Sequence, residues 1–416
     1  MVKRRRGKRR NPSYRRWVTL LLLVVCAAVV FAVYKTRTHR QTARRVATHG
    51  KAREKPQVTP SFLNKAEAER HLRLALEKAG GDGVWIKPPE GPSAFTAIIS
   101  TRAYPAASQA LRDSARELGL RIEGISDQPA PGRIQWVAAY SGSGRVFDCT
   151  LREVPRIVRV SIIVDDLGQN LERARALIRL DSPLTFSVMP AVRYSRQTAD
   201  EAHAGGIEVM LHLPMQPMVD SAPDISKGEL RVGMPSGEVD GIIQSALESV
   251  PYAAGVNNHM GSRATADPRL MAEVMADLAR RRLYYVDSRT IPTSVAFAEA
   301  KRAGVPAFYR SVFLDDQQSV RYTLGQLREL CHVADRTGAA LAIGHPYPST
   351  ITALRQFIPV MAEENIQLVR VSELLRQPET AFLSPTSPRL KRPSGTKRIS
   401  FRSGSPQVFF DTSPRL

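Results

Sequence analysis

The sequence predicts an α/β fold in which parallel βα units close into a barrel, and three observations carry that expectation. Seven stretches share one pattern, a short apolar run that stops on polar residues and is followed by a helix-like segment. The stops, in order, are Asp165-Asp166, Met189-Pro190, His212, Asn257-Asn258-His259, Asp287-Ser288-Arg289, Asp315-Asp316 and Gly344-His345. An eighth run, Leu368 to Val371, follows the last helix. Strands alternating with helices imply parallel βα units, and about eight of them close into a barrel whose chemistry lies at the strand C-terminal ends. Two adjacent carboxylates and three histidines are thereby brought to one rim.

The 416 residues leave room for a barrel, which takes roughly 250 residues, and for something smaller. Residues 1–16 are a basic tail with nine Lys/Arg and no acid, and Trp17 to Tyr34 is an uncharged span of 18 residues. That length meets the threshold of about 18 residues for a membrane-crossing helix and exceeds the core of a signal peptide. An uncleaved single-pass anchor is the expectation, with a cleaved signal as the alternative. The basic cluster ahead of the span favours a cytoplasmic N-terminus, an inner-membrane location and a periplasmic or other extracytoplasmic barrel. Residues 35–60 read as a basic linker.

A small α+β domain is expected over 61–152, with helices at Phe62–Lys78 and Ala106–Leu118 and strands at Phe95–Ile99, Arg133–Tyr140 and Val146–Leu151. The barrel is expected over 155–376. Its apolar runs are Val158–Val164, Leu184–Val188, Ile207–Leu213, Ala253–Val256, Leu283–Val286, Ala307–Leu314, Ala340–Ile343 and Leu368–Val371. Near-continuous apolar character is what strands covered on both faces require. The intervening helices are expected at Leu171–Arg179, Ser195–Ala204, Ser236–Ser249, Pro268–Arg281, Ser294–Arg302, Tyr322–Arg336 and Thr350–Glu364. The longest interruption, Pro214 to Pro235, reads as a loop covering the site. Beyond 377 a Ser/Pro/Arg-rich segment repeats Thr-Ser-Pro-Arg-Leu at 386–390 and 412–416 and is expected to be disordered.

The formal net charge of +21 belongs to 1–16, 35–55 and 385–416, so the part expected to fold is electrically balanced. That distribution, without interleaved aromatics, argues against nucleic acid as a partner. Cys149 and Cys331 are expected to be buried free thiols, since three cysteines in all give no disulfide framework and no C-x-x-C pair. A P-loop, a dinucleotide-binding glycine fingerprint and a GxSxG elbow are all missing from the sequence, which argues against phosphoryl transfer and serine esterase chemistry.

Adjacent carboxylates at a strand end can take different roles, one binding a cation and one accepting a proton from water, although Asp also caps the helix that follows a turn. His212 and His259, at neighbouring strand ends beside a carboxylate, form a set suited to a catalytic Zn²⁺ with an open position. Asn257 and Asn258 offer amides that could orient water or substrate or could simply serve a turn. His345, between Gly344 and Pro346, is read first as a general acid for the leaving group, then as a third metal ligand and last as a structural residue. Asp287 and Arg289 suit either the tuning of a neighbouring base or histidine or a rim salt bridge.

Several ordered blocks carry a family resemblance. They are Ile-Val-Asp-Asp-Leu-Gly at 163–168, Leu-Thr-Phe-Ser-Val-Met-Pro at 184–190 and Glu-Val-Met-Leu-His-Leu-Pro-Met at 208–215. Gly-Val-Asn-Asn-His-Met-Gly-Ser at 255–262, Val-Asp-Ser-Arg-Thr at 286–290, Phe-Leu-Asp at 313–315 and Ile-Gly-His-Pro at 343–346 complete them. Over about 157–373 the chain resembles the divergent polysaccharide deacetylases, bacterial envelope proteins related to carbohydrate deacetylases of the NodB-homology type. The resemblance implies a deformed (β/α) barrel of seven or eight strands. It implies Asp165 as base, Asp166 as metal ligand and His345 as acid. The broader deacetylases place two metal histidines on one stretch, His-x-x-x-His; here positions 215 and 216 are Met and Gln, so the second imidazole would come from His259. Asn257, Asn258, Arg263, Asp287, Arg289 and Asp315 are then expected around substrate or behind the ligands. The function implied is metal-dependent deacetylation of N-acetylated sugars in an envelope polysaccharide or peptidoglycan-type glycan, with Zn²⁺ or another divalent metal. The alternatives are peptidoglycan amide hydrolysis and a catalytically silent glycan-binding or scaffolding barrel.

Overall fold

The computed structural model of the chain describes residues 65–87, 94–142, 144–219 and 228–376. The basic tail, the Trp17–Tyr34 span, the linker and the segment from 377 onward lie outside them. Among the described residues no helix is long and apolar enough to cross a membrane.

The smaller sheet comprises β1 (Val84–Ile86), β2 (Ala94–Ser100), β3 (Arg121–Glu123), β4 (Ile134–Ser141) and β5 (Gly144–Val154), in the order β1-β2-β5-β4-β3. The β2–β5 pair is parallel and the others antiparallel. Helices α1 (Lys65–Gly80) and α2 (Tyr104–Glu117) bury Ala68, Leu72 and Leu76 and Tyr104, Ala107, Leu111 and Ala115. This spacing of three and four residues makes one apolar stripe per helix. Both stripes pack on Phe95, Ala97, Ile99, Val137, Ala139, Cys149 and Leu151, alternate residues of one sheet face. The edge strands β1 and β3, three residues each, were not anticipated because three residues cannot show alternation.

The larger sheet holds nine parallel strands: β6 (Val158–Leu167), β7 (Thr185–Val188), β8 (Glu208–Met215), β9 (Ala253–Met260), β10 (Tyr284–Asp287), β11 (Ala307–Tyr309), β12 (Val312–Phe313), β13 (Ala339–Gly344) and β14 (Ile366–Leu368). Their order is β11-β10-β9-β8-β7-β6-β13-β12, with β14 also on β6. Between them run α3 (Leu171–Ile178), α4 (Ser195–Ala204), α5 (Ser236–Ser249), α6 (Pro268–Arg281), α7 (Ala296–Arg302), α8 (Val320–Thr337) and α9 (Pro348–Glu363); α10 (Val371–Leu375) ends the described chain. Asn170, Asp267 and Ser319 cap α3, α6 and α8 by accepting hydrogen bonds from the backbone N–H of Arg173, Leu270 and Tyr322.

The run expected as one strand at Ala307–Leu314 is split in two at Arg310-Ser311, and the split has a structural purpose. Strand β11 pairs with β10, while β12 pairs with β13 at the far end of the sheet. Arg310 N donates to Asp287 O on one side and Ser311 N to Leu341 O on the other. One extended segment thus joins both ends of the curled sheet. The expected eighth strand starts two residues earlier than read and is shorter, at Ile366–Leu368, and pairs with the lower part of β6. Val371 instead begins α10.

Outward residues such as Ile162, Val164, Phe186, Val209, Leu211 and Ala342 pack against the helices. Full burial of such side chains contributes roughly 1.5–3 kcal/mol each. Inward residues Ile163, Met210, Tyr284, Val286, Leu341 and Ile343 form a second cluster with Val371 and Leu374 of α10. There Glu208 accepts hydrogen bonds from Tyr284 Oη and Ser372 N. One more inward step along β8 past Met210 is His212.

Candidate metal centre

Neighbouring residues of a regular strand point to opposite faces, so Asp165 and Asp166 could not both reach one site from an undistorted β6. The register between β6 and β7 slips between Val164 and Leu167, and Asp166 adopts a left-handed backbone with φ 56°. Such bulges re-aim side chains, and non-glycine residues in this region cluster where function over-determines them. The result is that Asp165 Oδ2 and Asp166 Oδ1 lie 3.7 and 3.2 Å from the same nitrogen, His212 Nε2. Strand β9 likewise runs past its expected end at Val256 to Met260, where φ is 52°, carrying Asn257 and His259 onto the site.

Asn257 is fully buried and organises the centre. Its Nδ2 donates to Asp165 Oδ1 at 2.8 Å, so its Oδ1 is the acceptor for Ser187 Oγ and for His212 Nδ1, both at 2.7 Å. His212 therefore carries its proton on Nδ1 when neutral and presents the Nε2 lone pair to the rim. There Nε2 meets His259 Nδ1 at 3.1 Å, and Asp166 Oδ1 lies 3.2 Å from both nitrogens. Asp166 Oδ1 is buried, and the groups that face it are these two ring nitrogens. Three electron-rich atoms facing one another fit a cation. Their spacing is close to the roughly 3.3 Å that bonds of ~2.0–2.1 Å impose at tetrahedral angles. Among the described residues this is the one group of three or more His, Cys, Asp or Glu able to hold a metal ion.

The charges follow from this packing. Burial opposes ionisation of Asp166, but the imidazoles of His212 and His259 outweigh it and hold the carboxyl well below the usual range. Burial would likewise lower His212, yet the charge of Asp165 and the contact with Asp166 push it up to about 9. A metal must therefore displace a proton to occupy this centre.

His345 stands at the end of β13 with its Nδ1 3.0 Å from Asp315 Oδ1. Asp315 is held in turn by His345 N at 2.6 Å and Thr350 Oγ1 at 2.7 Å, both to Oδ2. A Cβ at position 344 would sit 3.1 Å from Asp315 Oδ2 and from Leu314 Cβ, so a glycine precedes the histidine for close packing. His345 Nε2 faces Asp166 Oδ2 at 3.7 Å, outside the three-atom cluster. Burial lowers its pKa, but the hydrogen bond to Asp315 and the charges of Asp165, Asp315 and Asp166 raise it above the ordinary value. A cavity of about 370 Å³ opens on Asp165, His212, His259 and His345.

The remaining expected residues divide. Asn258 borders the cavity, where its Oδ1 accepts from Tyr285 Oη and Ser288 N and its Nδ2 donates to Met260 O. Asp287 neither orients a histidine nor pairs with the Arg289 guanidinium; it caps its own loop by accepting from Arg289 N and Ser294 Oγ. Arg289 is exposed, with Cζ 3.5 Å from the Tyr309 ring centroid. Arg263 departs from expectation: it is exposed beside the short 264–266 turn and does not line the cavity, and its backbone N–H donates to Gln216 O. The described parts of the loop expected to cover the site, 216–219 and 228–235, do not line the cavity; residues 220–227 lie outside the description. Ser187, Thr350 and Arg310 were not anticipated. Ser187 and Arg310 sit within expected strands, and Thr350 opens an expected helix, so no polar stop marked them.

A family model described as divergent polysaccharide deacetylase matches residues 162–375, which include every residue of the cluster. The uncharacterized protein YibQ of Escherichia coli K12 is 37% identical over 227 residues, covering 55% of this chain and 70% of that protein. An uncharacterized protein of Haemophilus influenzae Rd is 38% identical over 218 residues, covering 52% of this chain and 77% of that protein. The crystal structure of the uncharacterized protein ATU2773 from Agrobacterium tumefaciens C58 shares the fold, with a TM-score of 0.50 at 24% identity over 53% of this chain and 89% of that one. With the match spanning half of the sequence and the whole candidate centre, the chain belongs to the divergent polysaccharide deacetylase family.

Proposed function

We propose that the protein is a metal-dependent hydrolase that removes acetyl groups from N-acetylated sugars of a cell-envelope polysaccharide or peptidoglycan-type glycan. The observation that carries this reading is the meeting of Asp166, His212 and His259, with both histidines lining a cavity shared with Asp165 and the Asp315-backed His345. Zn²⁺ or another divalent cation held by Asp166, His212 and His259 would polarise the amide carbonyl and lower the pKa of water. Asp165 is the base: Asn257 holds its Oδ1, and Oδ2 remains to take the proton of the attacking water. As the water oxygen bonds to the acetyl carbon and the C–N bond breaks, His345 Nε2 gives its proton to the departing amine. Asp315 keeps the imidazole oriented and charged for that step. Proton exchange with solvent then resets Asp165 and His345, leaving acetate and a free amine. The uncharged Trp17–Tyr34 span between basic flanks supports a single-pass anchor with the barrel on the extracytoplasmic side.

One observation favours a second reading, a catalytically silent glycan-binding barrel. Gln216, in the stretch where the broader deacetylases carry their second histidine, is buried and committed to Val232 N. The two readings separate on metal content and acetate release from N-acetylglucosamine oligomers and peptidoglycan-type glycan. For the hydrolase, wild type carries stoichiometric metal, Asp165→Asn keeps it but loses activity by about 10²–10⁴-fold, and His212→Ala loses the metal. Metal-free wild type that still binds glycan without releasing acetate decides for the silent barrel.

A further inference from the structure

Arg310 lies at the junction of β11 and β12, where the two ends of the large sheet meet, and its side chain borders the cavity that holds the metal-type cluster. Of the five N–H donors of a guanidinium, Nε–H goes to Ser288 O at 2.7 Å and one on Nη2 goes to Arg289 O at 2.8 Å. The Phe313 ring centroid is 5.0 Å from its Cζ. These contacts hold the group rigidly and leave the Nη1 donors unspent. Among the described residues no carboxylate reaches Arg310 within the 4.0 Å of an ion pair, although Asp316, Asp165 and Asp287 all act on it at longer range. Burial works against its charge, and so does Arg289 next to it. Arg289 itself is on the rim with a left-handed backbone at φ 47° and likewise has no carboxylate within ion-pair range among the described residues.

A half-buried guanidinium whose carboxylate neighbours all stand beyond ion-pair distance has its burial only partly offset, and a directly bonded anion would complete the compensation. Arg310 lines the cavity with donors unspent, Arg289 stands between the cavity-lining Ser288 and Thr290, and the planar fork of arginine matches a carboxylate. We propose that Arg310, assisted by Arg289 at the rim, is a carboxylate subsite that selects glycans in which the N-acetylated sugar carries or adjoins a carboxylate. This rests on the hydrolase reading for the adjacent cluster and narrows its substrate class. A purely structural Arg310, serving only to tie down two carbonyls, would weaken every ligand equally on removal.

The discriminating measurement is equilibrium binding to the full chain carrying Asp165→Asn, so that turnover does not intervene. The probes are a peptidoglycan disaccharide containing N-acetylmuramic acid with its free lactyl carboxylate, and the same disaccharide as its methyl ester. The acid is expected to bind roughly tenfold or more tightly than the ester, the preference one charge-assisted hydrogen-bonded pair supplies. The ratio falls towards one when Arg310→Gln is added, and Arg289→Gln lowers it by a smaller factor without changing the melting temperature. An acid-to-ester ratio near one with Arg310 intact, no binding of either probe, or a ratio that survives Arg310→Gln overturns the proposal. If Arg310→Gln fails to fold, the wild-type arginine ratio and the Arg289→Gln arm decide. Acetate release is scored separately: acid-selective binding without release by the unsubstituted protein rejects hydrolysis and keeps the subsite.

Discussion

Replacing Asn257 with leucine tests the organisation of the centre without a large change of volume. The amide makes three buried contacts, from Ser187 Oγ and His212 Nδ1 to its Oδ1 and from its Nδ2 to Asp165 Oδ1. Leucine leaves a hydroxyl, an imidazole N–H and a carboxylate oxygen without partners where exposure is near zero. Each buried group stranded in this way costs about 1–3 kcal/mol. Three of them amount to at least ~3 kcal/mol, a large part of the 5–15 kcal/mol typical of a folded domain. Urea unfolding of the chelator-treated protein reads this loss directly. The second consequence is chemical: without the Asn257 acceptor nothing directs the His212 proton to Nδ1, and zinc affinity should fall about 10–100-fold, as for other partners that orient a ligand histidine. Competition with a chromophoric chelator measures it. A loss of stability under about 1 kcal/mol together with zinc affinity within about twofold of wild type would refute the reasoning.

Two further outcomes are expected. Because the hydrogen bond and charge of Asp315 raise the His345 pKa, Asp315→Asn should lower it; a general acid works only while protonated, so the alkaline limb of the acetate-release profile should move to lower pH, and an unmoved limb argues against His345 as the acid. Burial pushes the Cys149 and Cys331 thiols up to about 12 from an ordinary 9.0, so both should resist alkylation at pH 8 until the protein is unfolded. Since the folded values are the higher ones, this contribution to stability is complete below pH 9.0 and is lost as pH rises towards about 12, which alkaline denaturation midpoints can follow.

The alternation of apolar runs with helical segments was sufficient to read the parallel architecture. The helices at Ser195–Ala204, Ser236–Ser249 and Pro268–Arg281 have the anticipated bounds. In each, apolar spacing and a terminal turn or capping residue act locally, so a linear reading can find them. The three ligand-type residues were legible for a related reason: His212, His259 and Asp166 interrupt or end runs that otherwise only bury apolar surface.

Other features depend on contacts between residues far apart in the chain. Whether Asp165 and Asp166 share a face depends on a bulge against β7, and no local pattern announces a left-handed aspartate. Arg263 looked as close to the site as His259 in sequence, but the turn after Gly261 carries it outward; Arg310 looked like part of a strand, but closure of the sheet places it at the cavity. Residue type and periodicity therefore determined which elements form and which chemistry this chain could bring to one rim. The direction of each side chain was decided only by tertiary structure, because a strand's register, its bulges and the buried partners of Asn257 are set by neighbouring strands rather than by adjacent residues.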